Sequence, residues 1–134
     1  MKTHKPSRFV RMFKPRFAAL VAEGKKLQTV RPIPHRMPKP GDLLSLREWC
    51  GAPYRSKQRV IREAVVESVR RVTINYGFVQ SIEIDGTWLT NAEEDAFAVA
   101  DGFASFLDMF EWFSENHGLP FKGIVIAWKN KDVA

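Results

Sequence analysis

A chain of 134 residues has the length of one ordinary domain, and 45% hydrophobic with 27% charged residues exclude a disordered polymer. No apolar run approaches the ~20 residues of a membrane helix and Met1 to Pro6 carries no hydrophobic signal segment, so the expectation is one cytoplasmic domain over residues 1–134 without a membrane partner. The net charge of +6 is unevenly spread, at +10 over residues 1–40, +3 over 41–73 and −7 over 74–134, which predicts a dipolar surface whose basic side attracts phosphates, or else merely a soluble one.

In chain order, Arg8 to Phe13 reads as a short strand. Pro15 suits the first turn of a helix through Phe17, Leu20 and Val21, which Gly24 ends. Leu27 to Arg31 alternates like a strand as far as Pro32, and the proline-rich run to Pro40 predicts an extended loop. After the turn Pro40-Gly41-Asp42, a strand over Leu43 to Trp49 is closed by Gly51-Ala52-Pro53.

Residues 59–74, rich in Val, Ile and Arg, predict one long or bent strand, with a helix as the alternative. Phe78 to Ile84 reads as a strand, turned at Asp85-Gly86 into Thr87-Trp88-Leu89. Asn91 with Glu94 resembles a capping box opening a helix to about Ala100. Beyond Gly102, the apolar stripe Phe103, Phe106, Phe110 and Phe113 predicts a second helix, stopped by Gly118, that packs into the core. Phe121 to Trp128 is the last strand, and 129–134 a short tail.

Cys50 is the only cysteine, so an intramolecular disulfide and a cysteine cage are both excluded. His4, His35 and His117 stand in no ligand spacing. The expectation is therefore no metal and no cofactor.

The densest chemistry lies in Gly24-Lys25-Lys26-Leu27-Gln28-Thr29-Val30-Arg31, where cations and a hydroxyl meet at a helix-to-strand junction and Thr29 shares one strand face with Arg31. An anionic ligand suits that arrangement. With Gly41-Asp42 before the next strand, these residues resemble the ASCH family, named for activating signal cointegrator homology. Its hallmark is Gly-x-Lys-x-x-Thr-x-Arg followed by Gly-Asp. The resemblance extends through Ala100-Asp101-Gly102-Phe103 and the last strand, and Glu48 to Gln58 looks like the phage and prophage branch in particular.

The resemblance implies an α+β chain forming a PUA-like mixed or antiparallel β-barrel with flanking helices, and a cleft that binds RNA. Some members of this architecture deacylate N4-acetylcytidine with a lysine, a threonine and a glutamate. By motif position these fall on Lys26, Thr29 and Asp101, the last one methylene shorter than the family's glutamate. A threonine hydroxyl beside a desolvated lysine can act as a nucleophile, with a carboxylate orienting the lysine. The structural alternatives are a solvated lysine, a strand threonine and a helix cap.

A second group places Trp49 and Tyr54 beside Arg55, Lys57 and Arg59, the mixture of rings and cations that holds single strands; Trp49 is expected in the core instead, with Tyr54 and Arg55 as the ligand contacts. The expected ligand-binding residues are thus Lys25, Lys26, Thr29, Arg31, Tyr54, Arg55 and Lys57. The expected ligand is RNA, a nucleotide or a modified nucleoside, with amidohydrolysis through Lys26, Thr29 and Asp101 as the competing activity. Lys26, Thr29, Arg31 and Asp101 should then converge on one cleft.

Overall fold

The computed structural model describes residues 5–131, and its sheet is organised by one strand of eighteen residues. The elements are β1 (Arg8–Met12), α1 (Pro15–Ala22), β2 (Gln28–Pro32), β3 (Leu43–Trp49), β4 (Gln58–Asn75), β5 (Ser81–Ile84), β6 (Thr87–Trp88), α2 (Asn91–Ala100), α3 (Phe106–Asn116) and β7 (Phe121–Asn130). The chain is α+β, with a seven-stranded mixed sheet and three helices.

β4 is the expected long strand, not a helix. Its β-branched residues suit a pleat, and a bulge between Val66 and Ser68 bends it, which explains the broken alternation. One edge of β4 takes β3 along its first part and β5 at its end, while the other takes β7 from Ala64 to Ile74. β7 carries β2 on its far edge, and β3 carries β1, the one parallel pair. These ladders leave the sheet unclosed between β1 and β2.

Several boundaries differ from the sequence expectation. Pro32 is the last residue of β2, paired with Gly123, which an edge strand tolerates because that amide is not needed. Phe78 and Val79 belong to an exposed turn, so β5 starts at Ser81. Thr90 caps α2: its hydroxyl accepts from the Glu93 amide while the Glu93 carboxylate accepts from the Thr90 amide. Glu94 instead accepts from the buried Ile82 amide. Phe103 precedes α3, which starts after its cap Ser105. Lys129 and Asn130 extend β7 by pairing with Val65 and Ala64, so the tail is shorter than expected; residues 132–134 lie outside the described part.

One hydrophobic cluster runs from Phe9 to Trp128 and takes in α1, α2, α3 and both sides of β7, where Ile124, Val125 and Ile126 are all buried. Phe110 and Phe113 of the aromatic stripe lie in it, as expected. The Gly41-Asp42 pair is structural: the Asp42 carboxylate accepts from the Ser7 amide (2.9 Å) and the Lys39 amide (2.8 Å), tying the entry of β1 to the loop before β3. Gly123 permits the tightest strand approach, since a Cβ there would stand 2.2 Å from the Arg31 carbonyl oxygen.

Candidate functional site

The site begins where α1 stops. The amides of Lys25 and Lys26 both bond the Leu20 carbonyl, at 2.9 and 3.1 Å, which turns the chain back under the helix. Lys26 is thereby driven inward and only 3% exposed, whereas Lys25 stays in solvent and pairs with Glu23 at 3.0 Å. The buried ammonium donates to the main-chain oxygen of Asp101 and lies 3.4 Å from that residue's Oδ1. Phe17 and Phe13 flank it, with ring centroids 5.0 and 5.8 Å away.

Asp101, itself 3% exposed, is the C-cap of α2. The following Gly102 has φ +99°, and a Cβ on it would press on Phe17 (3.1 Å) and on the Lys26 stem (3.2 Å). Only glycine combines that backbone with that clearance. Gln28 reaches the same carboxylate through Nε2 at 3.4 Å.

Two residues along β2, Thr29 and Arg31 share a face, as the strand period requires. Arg31 Nε donates to Thr29 Oγ1 at 3.0 Å, Nη2 donates to the Met12 carbonyl at 2.7 Å, and the guanidinium lies 5.0 Å from the Phe13 centroid. Arg31 thus spans the gap between β2 and β1.

These groups open on a cavity of about 260 Å³. Phe13, Phe17, Phe103, Trp112 and Phe113 make its apolar walls, and Lys26, Thr29, Arg31, Asp101, Asn116 and His117 its polar ones. An apolar hollow of about 350 Å³ adjoins it, sharing Met12, Phe13 and Lys14 and walled by Trp49 and Tyr54, whose rings are 5.1 Å apart. Tyr54 is 89% exposed and held at φ +62°.

Burial governs the electrostatics. It lifts the Asp101 carboxyl to about 6 against the opposing pull of Lys26, and depresses Lys26 despite the help of Asp101. Burial and the neighbouring Arg11 lower Arg31 to about 10, although Asp101 opposes them. His117, stacked on Phe113 at 5.4 Å, is lowered by burial and then by Lys14 and Arg31, which favours the neutral imidazole. All four shifts favour the uncharged form: the dry wall costs stability and is not a device for gaining it.

Lys26, Thr29, Arg31 and Asp101 therefore meet in one cavity, though Lys26 and Asp101 are 75 residues apart in sequence. Tyr54 borders the adjoining hollow, whereas Lys25, Arg55 and Lys57 line neither. Trp49 is half-buried in the wall of the second hollow and not in the core. Lys14, Trp112, Asn116 and His117 escaped the sequence reading. Asn116 and His117 close α3 just before Gly118, a position that signals a helix stop and hides a polar rim. Among the described residues no three His, Cys, Asp or Glu side chains gather into a metal site.

No protein-family model, curated protein or solved structure matches the chain. The assignment of a function therefore rests on the chemistry of the cavity.

Proposed function

We propose that the chain is an ASCH-type, PUA-like domain whose cavity receives one base of an RNA, or a nucleotide or modified nucleoside. The reading is carried by the buried Lys26–Asp101 pair facing an aromatic-walled cavity. Two ionised groups at 3% exposure cost more in desolvation than an apolar pair of the same volume would. Their place on a cavity wall supports a ligand-binding role.

A volume of about 260 Å³ lies just below the range of drug-sized ligand sites, about 300 to 1,000 Å³, and suits one heterocycle better than an extended cofactor. Unpaired bases are held between aromatic faces with their edges read by hydrogen bonds. Phe13, Phe103 and Trp112 offer such faces, and Lys26, Asp101, Asn116 and His117 offer donors and acceptors. Arg31 presents a cation at the open seam. A PUA-like barrel would suit the same reading, the unclosed β1–β2 seam being its opening.

A second reading, amidohydrolysis of an N4-acylated cytidine, has one observation in its favour: Lys26 and Thr29 share the cavity, and burial pushes Lys26 toward the free amine a general base needs. In that reaction Thr29 Oγ would attack the acyl carbon while Lys26 took its proton and passed it to the departing amine. The hydrogen bonds favour binding instead. Lys26 is turned onto the Asp101 carbonyl and carboxylate, and Thr29 Oγ1 accepts from Arg31.

Calorimetric titration with cytidine and N4-acetylcytidine, alongside a turnover assay, separates the two readings. The expected result is binding without hydrolysis. In the same titration with cytidine monophosphate, Arg31→Ala should weaken affinity about tenfold by removing a charge-assisted contact to the phosphate, and Thr29→Val should leave it within about twofold. Deacetylation by the unmodified protein that disappears in Thr29→Val would overturn the binding assignment and establish the hydrolase.

A further inference from the structure

β1 is an outer strand. Its odd-numbered residues face β3, as the bonds from Leu43 N to Ser7 O and from Phe13 N to Arg47 O require. The carbonyls of Arg8, Val10 and Met12 must then point to the opposite, unpaired edge. Each is met by an arginine from a different place in the chain: Arg36 Nη2 donates to Arg8 O at 3.0 Å, Arg11 Nη1 to Val10 O at 2.9 Å, and Arg31 Nη2 to Met12 O at 2.7 Å.

The row is held together by an aromatic. The Arg36 and Arg11 guanidinium carbons lie 4.3 and 5.5 Å from the Phe9 ring centroid, and Phe9 itself is buried. At its last member the row enters the cavity, because Arg31 and Met12 line it.

Protecting a free edge does not account for this arrangement. One donor per carbonyl would suffice, yet three guanidinium groups with five N–H donors each are set in a row. Their mutual repulsion is felt: Arg11 is lowered by burial and then by Arg36, and Arg31 by burial and then by Arg11. Among the described residues, positive charge is therefore gathered along the seam with spare donors and with no carboxylate ion-paired to Arg11 or Arg36.

We infer that the Arg36–Arg11–Arg31 row is a phosphate track, which guides the backbone of a single-stranded nucleic acid along the open edge of β1 and delivers one base to the cavity. The anchoring carbonyls recur every two residues, about 6.6 Å apart, so successive phosphates of an extended strand can be met in turn. Planar forks suit phosphate oxygens, and rings beside them suit bases. The inference rests on the base-binding reading of the cavity and narrows it: the natural ligand is a strand and not a free nucleoside.

The test compares cytidine with a five-residue oligocytidylate RNA, titrated from low to high potassium chloride, in the unmodified protein and in Arg11→Gln and Arg36→Gln. Glutamine keeps an amide donor for the strand carbonyl, and circular dichroism with thermal melting verifies the fold. Should Arg11→Gln fail to fold, Arg36→Gln, on an exposed loop, carries the test alone.

The expected result is a pentamer that outbinds cytidine at low salt. Each substitution should cut that advantage about tenfold and reduce the slope of log affinity against log salt by about 0.7. A pentamer no tighter than cytidine, or variants with an unchanged slope, would overturn the track while leaving the base pocket standing. Pentamer binding with arginine-dependent slopes but no cytidine binding would uphold the track and remove the pocket reading. Equal, arginine-dependent capture of an oligoglutamate peptide would overturn the track in favour of a general anion surface.

Discussion

Replacing Lys26 by methionine keeps the volume of the side chain and removes its charge, leaving the Asp101 carboxylate in a dry wall with the Gln28 hydrogen bond and the charge of Arg31 as its remaining support. In the unmodified protein the folded state holds the Asp101 proton up to about 6, against 3.8 for the free side chain. The folded state therefore binds the extra proton between those values, and stability falls as pH rises through them, by about 3 kcal/mol in all. Above pH 6 that loss is complete. Lys26 is the largest influence restraining the rise, so without it the carboxyl moves higher still. In Lys26→Met stability should then keep falling by about 1.4 kcal/mol per pH unit beyond 6. By pH 8 the variant should be less stable relative to the parent than at pH 6, by at most about 3 kcal/mol. Urea unfolding followed by tryptophan fluorescence at pH 5, 6.5 and 8 measures it. The double variant Lys26→Met/Asp101→Asn should recover most of the loss and flatten the profile. Parallel pH profiles for Lys26→Met and the parent would refute the reasoning.

Gly102→Ala should lower stability by about 1–3 kcal/mol and weaken nucleoside binding together, because φ +99° disfavours a side chain and the new methyl presses on the Lys26 stem; urea midpoints and calorimetry report the two effects. Asp42→Ala should cost about 1–3 kcal/mol, since two main-chain amides lose their acceptor, with ligand affinity in the surviving folded protein unchanged. Glu94→Gln should be much milder in its effect on folding, at about 1 kcal/mol, because the amide oxygen still accepts from Ile82 in thermal melts.

The elements that turn chemistry and period can specify were legible. Pro15 at the start of α1, Gly24 at its end and the Asp85-Gly86 turn, both residues of which have positive φ, all act within a few residues. Errors arose where two local readings were equivalent. Thr90/Glu93 and Asn91/Glu94 have the same spacing, and only the distant Ile82 amide decides that Glu94 turns inward. Phe78 and Val79 look like strand residues because exposed apolar side chains in a turn mimic a buried alternation.

The candidate site shows the same division. Thr29 and Arg31 could be placed on one face from period alone, and Lys26 and Asp101 were brought to one cleft only through a family resemblance. Nothing near Lys26 in sequence says that it is buried while Lys25 is solvated; the turn of both amides onto Leu20 decides it. The arginine row was invisible for a related reason. Arg11, Arg31 and Arg36 become neighbours through the parallel β1–β3 pairing and the unclosed seam, which are properties of topology and not of spacing.

The occupancy of the cavity by a base is tested most directly by the indole N–H resonances of the four tryptophans during titration with cytidine nucleosides. Trp112 lines the cavity, whereas Trp88 is exposed on β6, an outer strand of the sheet. The account predicts a saturable shift of Trp112 with Trp88 unmoved. A titration that moves Trp88 alone, or none of the four, would contradict it.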